Sequence, residues 1–198
     1  MREHLTISLP DARTTWSVLL AFGMILISLM PVELAQLLQF ENALFEEGEY
    51  YRLLTGHFVH LGWMHALLNS IGLVIVIWMF PQPLTLRTGL TSVLFCSVFI
   101  SCGLLLLSEV DWYRGFSGVL HGLFVIGALS AGPVLRWRLP LMLGLVAKLG
   151  YELSVGPDSA TAELIGGTVI EAAHWLGAAA GLIVALSLWL EKLKKTEV

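Results

Sequence analysis

Gly115-Phe116-Ser117-Gly118-Val119-Leu120-His121-Gly122 sets a serine directly behind a turn-like Gly-Phe and at the head of an apolar run that continues through Leu129. Such a serine falls in the first turn of a helix, where backbone N–H groups have no intrahelical partner. Those groups, together with the positive end of the helix dipole, suit a developing oxyanion. Taken by itself Ser117 reads as an N-cap, a position serine often fills. A nucleophile at the mouth of a lipid-embedded helix is the sharper reading, and the rest of the chain bears on it.

Around that stretch the chain is apolar almost throughout. Of its 198 residues 57% are hydrophobic and 13% charged, and the mean hydropathy is +0.80. This is the composition of an all-α polytopic membrane protein, not of a soluble domain. Six apolar spans, roughly 15–30, 64–80, 88–108, 117–132, 139–155 and 172–190, each come near the length that crosses a bilayer. Short loops join them. The expectation is one membrane domain over 1–198, with its core at 50–190, a cytoplasmic lead-in at 1–14 and a tail at 191–198.

The basic residues orient the bundle. With the N-terminus in the cytoplasm, Arg2, Arg13, Arg87, Arg136, Arg138, Lys192, Lys194 and Lys195 fall inside, and only Arg52 and Arg114 fall outside. This asymmetry predicts that both termini are cytoplasmic. The lipid bilayer is the expected environment, and nucleic acid is not an expected partner. The first span lacks a small-residue cleavage site and runs into Met30-Pro31, so it reads as a span and not as a signal peptide. Cys96 and Cys102 are six apart on one helix, point to different faces and read as buried thiols. In the long loop at 31–63, Leu34, Leu37, Leu38, Phe40, Leu44 and Phe45 suggest short amphipathic pieces in the outer interface.

Polar residues inside the spans carry the chemistry. His65 and Asn69 are four apart and share a helix face. In a membrane such a pair is either a packing contact between helices or a pair of donors aimed at a substrate oxygen. His57, His60 and His65 raise the question of zinc, but there is no H-E-x-x-H and no glutamate base, so neither metal nor organic cofactor is expected. Lys148 and Glu152 are four apart near the outer end of the fifth span, with Lys before Glu, the weaker order for a helix ion pair. They are expected to snorkel to the interface, a Ser-Lys dyad being the only chemical precedent for Lys148.

On the sixth span His174, Gly177 and Gly181 fall on one face, and Gly118 and Gly122 repeat the small-x-x-x-small pattern on the fourth. Faces of that kind let helix backbones approach closely in lipid. If they meet, Ser117 and His174 come together. Counted from Gly132 and from Leu190, both residues lie about 22–24 Å above the inner ends of their spans at 1.5 Å per residue. A polar cluster at one depth inside a bilayer is a functional site by default.

These residues resemble the motifs of the rhomboid intramembrane serine proteases. Gly115-Phe116-Ser117-Gly118 is similar to their G-x-S-G, and His65-Ala66-Leu67-Leu68-Asn69 to their H-x-x-x-N. Ala173-His174-Trp175-Leu176-Gly177, with Gly181, resembles their A-H-x-x-G-x-x-x-G, and Arg52 resembles the arginine of their first loop. Tyr51 departs from the tryptophan usual beside that arginine. The likeness covers residues 50–182 in order. G-x-S-x-G is not met, since Val119 holds the last position, so a nucleophile elbow is excluded. Four residues after the serine, where rhomboids usually carry a tyrosine, stands His121, a feature that resembles the rhombosortase branch.

The resemblance implies a six-helix rhomboid-like bundle and a Ser117–His174 catalytic dyad, with the oxyanion held by His65, Asn69 and the Ser117 backbone N–H. Gly115 and Gly118 would support it; His121, one turn below Ser117 on the same face, either supports it by packing against His174 or hydrogen-bonding its ring, or is itself the base. Glu171, three residues before His174, is either a third member of the site or a carboxylate favoured by the helix dipole. The implied setting is the bacterial inner membrane, with the site open to the periplasm. The implied substrates are membrane-anchored proteins cut near the outer membrane–water boundary, with C-terminal Gly-Gly sorting anchors. An inactive rhomboid-like scaffold that binds transmembrane segments is the competing class. Such scaffolds usually lose the serine or the histidine, and both are present here.

Overall fold

The computed structural model describes residues 12–131, 137–156 and 158–196. The elements in chain order are α1 (Ala12–Ile27), α2 (Val32–Leu38), β1 (Phe40–Glu41), α3 (Asn42–Glu46), α4 (Arg52–Thr55), α5 (Trp63–Met79), α6 (Leu86–Leu107), β2 (Trp112–Tyr113), α7 (Ser117–Ser130), α8 (Arg138–Val155), α9 (Ser159–Ile165) and α10 (Glu171–Thr196). Local chemistry sets several boundaries. The Thr85 hydroxyl caps α6 by accepting from Thr88 N–H at 3.3 Å. The Asp158 carboxylate caps α9 by accepting from Thr161 N–H at 2.7 Å. Gly166, at φ +82°, ends α9 in the left-handed region that favours glycine.

Each of the six apolar runs becomes a helix, but their lengths differ from the even set expected. Among the described residues only α6 and α10 are each long and apolar enough to cross a membrane. The pair α8 and α9, bent by 95° at its break, makes a third if it is one span. The apolar segments in α1, α5 and α7 are 10–17 residues long. At 1.5 Å per residue the 14-residue α7 rises about 21 Å, short of a hydrocarbon layer of about 30 Å. The reason lies at its start: the chain reaches Ser117 through the bend at Gly115 and not through another helical turn. Residues 1–11 of the lead-in expected at 1–14, with Arg2, lie outside the described residues, as do Gly132, Pro133, Arg136 and Pro157; residues 12–14 already belong to α1.

Buried α7 is the axis of the fold. α10 packs along it, α6 lies against both, α5 flanks it, and α1 covers α5. Leu73, Ile100, Leu104, Phe116, Leu123 and Ile126 are among the fully buried side chains of this core. The α7–α10 seam is a contact of backbones. A Cβ placed on Gly118 would come 2.6 Å from the Ala173 carbonyl oxygen, and one on Gly177 or Gly181 would overlap the carbonyl oxygens of Gly118 and Gly122. The two small-residue faces read from the sequence therefore meet.

The long outer loop folds as the short pieces α2, α3 and α4, tied down by polar contacts. Arg52 is 4% exposed. It donates to the carbonyls of Gln36 at 2.7 Å and Gln39 at 2.9 Å, and pairs with Glu49 at 2.5 Å. That guanidinium, with the Tyr51 hydroxyl, holds the Glu49 carboxyl below the usual carboxylate range. β1 pairs antiparallel with β2, Phe40 opposite Tyr113. Gly115 N–H donates to the Gly56 carbonyl at 3.1 Å, and Tyr113 OH donates to the Gly115 carbonyl at 2.5 Å. The loop thus fixes the segment that delivers the chain to Ser117.

Candidate active site

Ser117 opens α7, and the residue two before it, Gly115, has φ +132°, a conformation that side-chain-bearing residues rarely adopt. The seam glycines then bring α10 so close that Ser117 Oγ lies 2.9 Å from His174 Nε2. His174 is 6% exposed. The two side chains are within hydrogen-bond reach across two helices, 57 residues apart in the chain.

The other nitrogen of His174 is met by α8. Its Nδ1 lies 3.1 Å from Glu152 Oε2 and 3.2 Å from Oε1, and 3.0 Å from Lys148 Nζ. Lys148 and Glu152 pair with each other at 2.8 Å. The expectation that both snorkel to the interface is corrected here: they turn inward onto the histidine. Glu171 begins α10, but Glu152 is the carboxylate at His174 Nδ1. The sequence signal for it was an acid and a base, one turn apart, inside an otherwise apolar span, which is a functional hint by default.

His121 lies beneath. Its ring stacks on that of His174, with centroids 4.3 Å apart and planes 18° from parallel. Its Nδ1 is 2.7 Å from the Ser117 carbonyl oxygen, and its Nε2 is 2.8 Å from Lys148 Nζ. Both ring nitrogens are thereby engaged, neither with Ser117 Oγ.

His65 and Asn69 both point into the protein, with exposures of 7% and 4%. The His65 ring packs against Gly115, so that a Cβ there would meet its Cε1 at 2.7 Å. His60 stands edge-on to it with centroids 4.9 Å apart. The Asn69 amide donates back to the His65 carbonyl at 3.1 Å, a contact within its own helix turn. A second serine–histidine contact, His57 Nε2 to Ser101 Oγ at 3.0 Å, is sealed in the core, and Ser101 donates to the Leu53 carbonyl at 2.8 Å. That pair fastens α4 to α6. Among the described residues no three histidine, cysteine, aspartate or glutamate side chains gather as for a metal ion.

A groove of about 440 Å³ runs between α5, α7 and α8, lined by Gly72, Val76, Leu120 and Phe124 and ending at His121 and Lys148. It leads from apolar surface to the polar cluster. A serine hydroxyl and an imidazole at this distance, beside an apolar channel, have the chemistry to serve as nucleophile and general base. The Rhomboid domain family matches residues 47–191 of this chain. No curated protein matches it.

Proposed function

This chain belongs to the rhomboid family of intramembrane serine proteases, and on that premise we propose that it is an active endopeptidase that cuts membrane-anchored proteins near the outer membrane–water boundary. The observation that carries the reading is Ser117 Oγ at 2.9 Å from His174 Nε2 at the mouth of a buried helix. His174 takes the Ser117 proton as Oγ attacks a peptide carbonyl. The oxyanion is held by N–H groups at the start of α7, with His65 and Asn69 as side-chain donors. Collapse breaks the C–N bond, and His174 returns the proton to the leaving amine. Water then attacks the acyl-serine by the same route, releasing the acid and restoring Ser117.

In this reading the six apolar helices form a six-span bundle in a bacterial inner membrane, with both termini cytoplasmic and the site open to the periplasm. His121, Gly115 and Gly118 support the dyad. His121, in place of a tyrosine, favours the rhombosortase branch and substrates with a C-terminal Gly-Gly anchor. Physics agrees with glycine at the cut. A transmembrane helix hides its carbonyls in i→i−4 hydrogen bonds, and glycine lowers the cost of unwinding by about 1 kcal/mol per residue relative to alanine. The apolar groove beside α7 suits a segment arriving from lipid.

The test is co-expression of a Gly-Gly-tailed reporter with wild-type, Ser117→Ala and His174→Ala protein. Reporter mass drops by the anchor with the wild type alone. Equal cutting by Ser117→Ala ends the protease assignment. Cutting that survives replacement of both reporter glycines by leucine ends the Gly-Gly assignment alone. An inactive scaffold would bind the reporter, leave it whole, and show no covalent labelling of Ser117 by a fluorophosphonate.

A further inference from the structure

We propose that Glu152 is a positioning residue for His174, held in place by Lys148, so that the site is a serine–histidine–carboxylate set assembled from three helices. This rests on Ser117 and His174 being nucleophile and base. An imidazole that accepts the serine proton on Nε2 must carry its own proton on Nδ1. At His174 Nδ1 two groups make opposite demands: the Glu152 carboxylate at 3.1 Å accepts only, and the Lys148 ammonium at 3.0 Å donates only. If Lys148 donated there, the ring proton would sit on Nε2, facing Ser117 Oγ, and the ring could not act as base.

His121 decides between them. Its Nδ1 faces the Ser117 carbonyl oxygen at 2.7 Å, so that nitrogen bears the proton and Nε2 keeps a lone pair. Lys148 Nζ lies 2.8 Å from this lone pair and 2.8 Å from Glu152. Its protons therefore have acceptors without His174, and Glu152 is left to accept from His174 Nδ1–H. In this assignment both nitrogens of His121 and of His174 are paired with a group of the opposite kind. Glu152 has a side chain only 12% exposed, so its charge acts on the imidazolium with little screening. Lys148 supplies the opposite charge, which makes a carboxylate tolerable at this depth. The stacked His121 ring fixes the plane of His174 from its other side.

The experiment uses the purified full chain in detergent with a Gly-Gly-tailed substrate. Glu152→Gln keeps the shape but removes the charge and turns one acceptor oxygen into an NH2 donor. It should lower kcat by about 10²–10⁴, in the range seen when a triad carboxylate becomes an amide, with KM changed by less than about twofold. Fluorophosphonate labelling of Ser117 should slow in parallel, and Glu152→Asp should recover at least about tenfold over Glu152→Gln. In wild-type protein, ¹⁵N NMR of labelled histidine should find His174 protonated at Nδ1, a reading that does not depend on any variant folding. Wild-type kcat in Glu152→Gln, Asp no better than Gln, or an Nε2–H ring in the wild type overturns the role of Glu152. If Ser117 of the wild type labels normally while one of these results appears, only this inference falls. If the wild type neither cuts nor labels, the protease reading falls and takes the inference with it.

Discussion

Where α10 meets α7, backbone lies on backbone; where α8 reaches the same site, two long side chains cross the gap. The α7–α10 seam has no slack, since a Cβ on Gly118, Gly122, Gly177 or Gly181 would press on a facing carbonyl or sulfur. By contrast α8 has no fully buried residue, and nothing lies within 4 Å of a Cβ placed on Gly144 or Gly150. Ser117 and His174 thus sit on the tight pair, while the groups that contact His174 from outside, Lys148 and Glu152, sit on a helix with room beside it. The difference teaches that alignment of Ser117 with His174 is a packing property, whereas the state of the His174 ring is an electrostatic one, adjustable without disturbing the core.

Gly177→Leu should break the comparison at its strongest point. The side chain would meet the Gly118 backbone, which cannot rotate away, so the cost exceeds the usual overpacking range of about 1–3 kcal/mol. Little folded protein should accumulate in the membrane, and what remains should not cut. A melting temperature and rate equal to wild type would show that the seam has slack after all. A smaller effect is expected of Lys148→Met, which removes the donor shared by His121 and Glu152. Activity should fall about tenfold, on the order of one charge-assisted hydrogen bond. The melting temperature should fall by only a few degrees, less than for Gly177→Leu, because the Glu152 carboxylate loses its counter-charge but the site carries little of the packing. A large fall in melting temperature would place α8 in the core and dissolve the distinction between the two walls. Least of all should follow from Gly150→Ala, where the added methyl meets open space. Stability should rise by about 0.5–1 kcal/mol from helix propensity, with cleavage unchanged. Lost activity there would mean that α8 must flex or fit tightly for turnover.

Much of the site was legible because helix faces are periodic. Spacings of three, four and seven residues place His174, Gly177 and Gly181 on one stripe and Gly118 with Gly122 on another, and stripes of small residues seek each other in lipid. The pieces of the outer loop were legible too, as apolar residues among polar ones, and Arg52 stood out by resemblance, but the contacts by which it holds them were not legible, since its partners are carbonyls with no signature of their own. The carboxylate that contacts the imidazole was not legible for a related reason. Glu171 is near His174 along the chain, and Glu152 is 22 residues away, yet the latter makes the contact. Reading Lys148 and Glu152 by their order on α8 judged them as a pair in isolation, whereas their partners lie on α7 and α10.

By itself the sequence determined that this is a helical membrane protein, that a serine starts one apolar helix and a histidine stands near the start of another, and that both helices carry faces bare enough to touch. These follow from composition and from the 3.6-residue period, which any segment carries within itself. Tertiary structure alone decided how long the helices run before a bend interrupts them, and which acid among several reaches the imidazole. The physical reason is that rotation, tilt and depth of α8 against α7 and α10 are set by packing between segments, and a shift of one turn there would put Lys148 or Gly156 in the place of Glu152 without changing any local pattern.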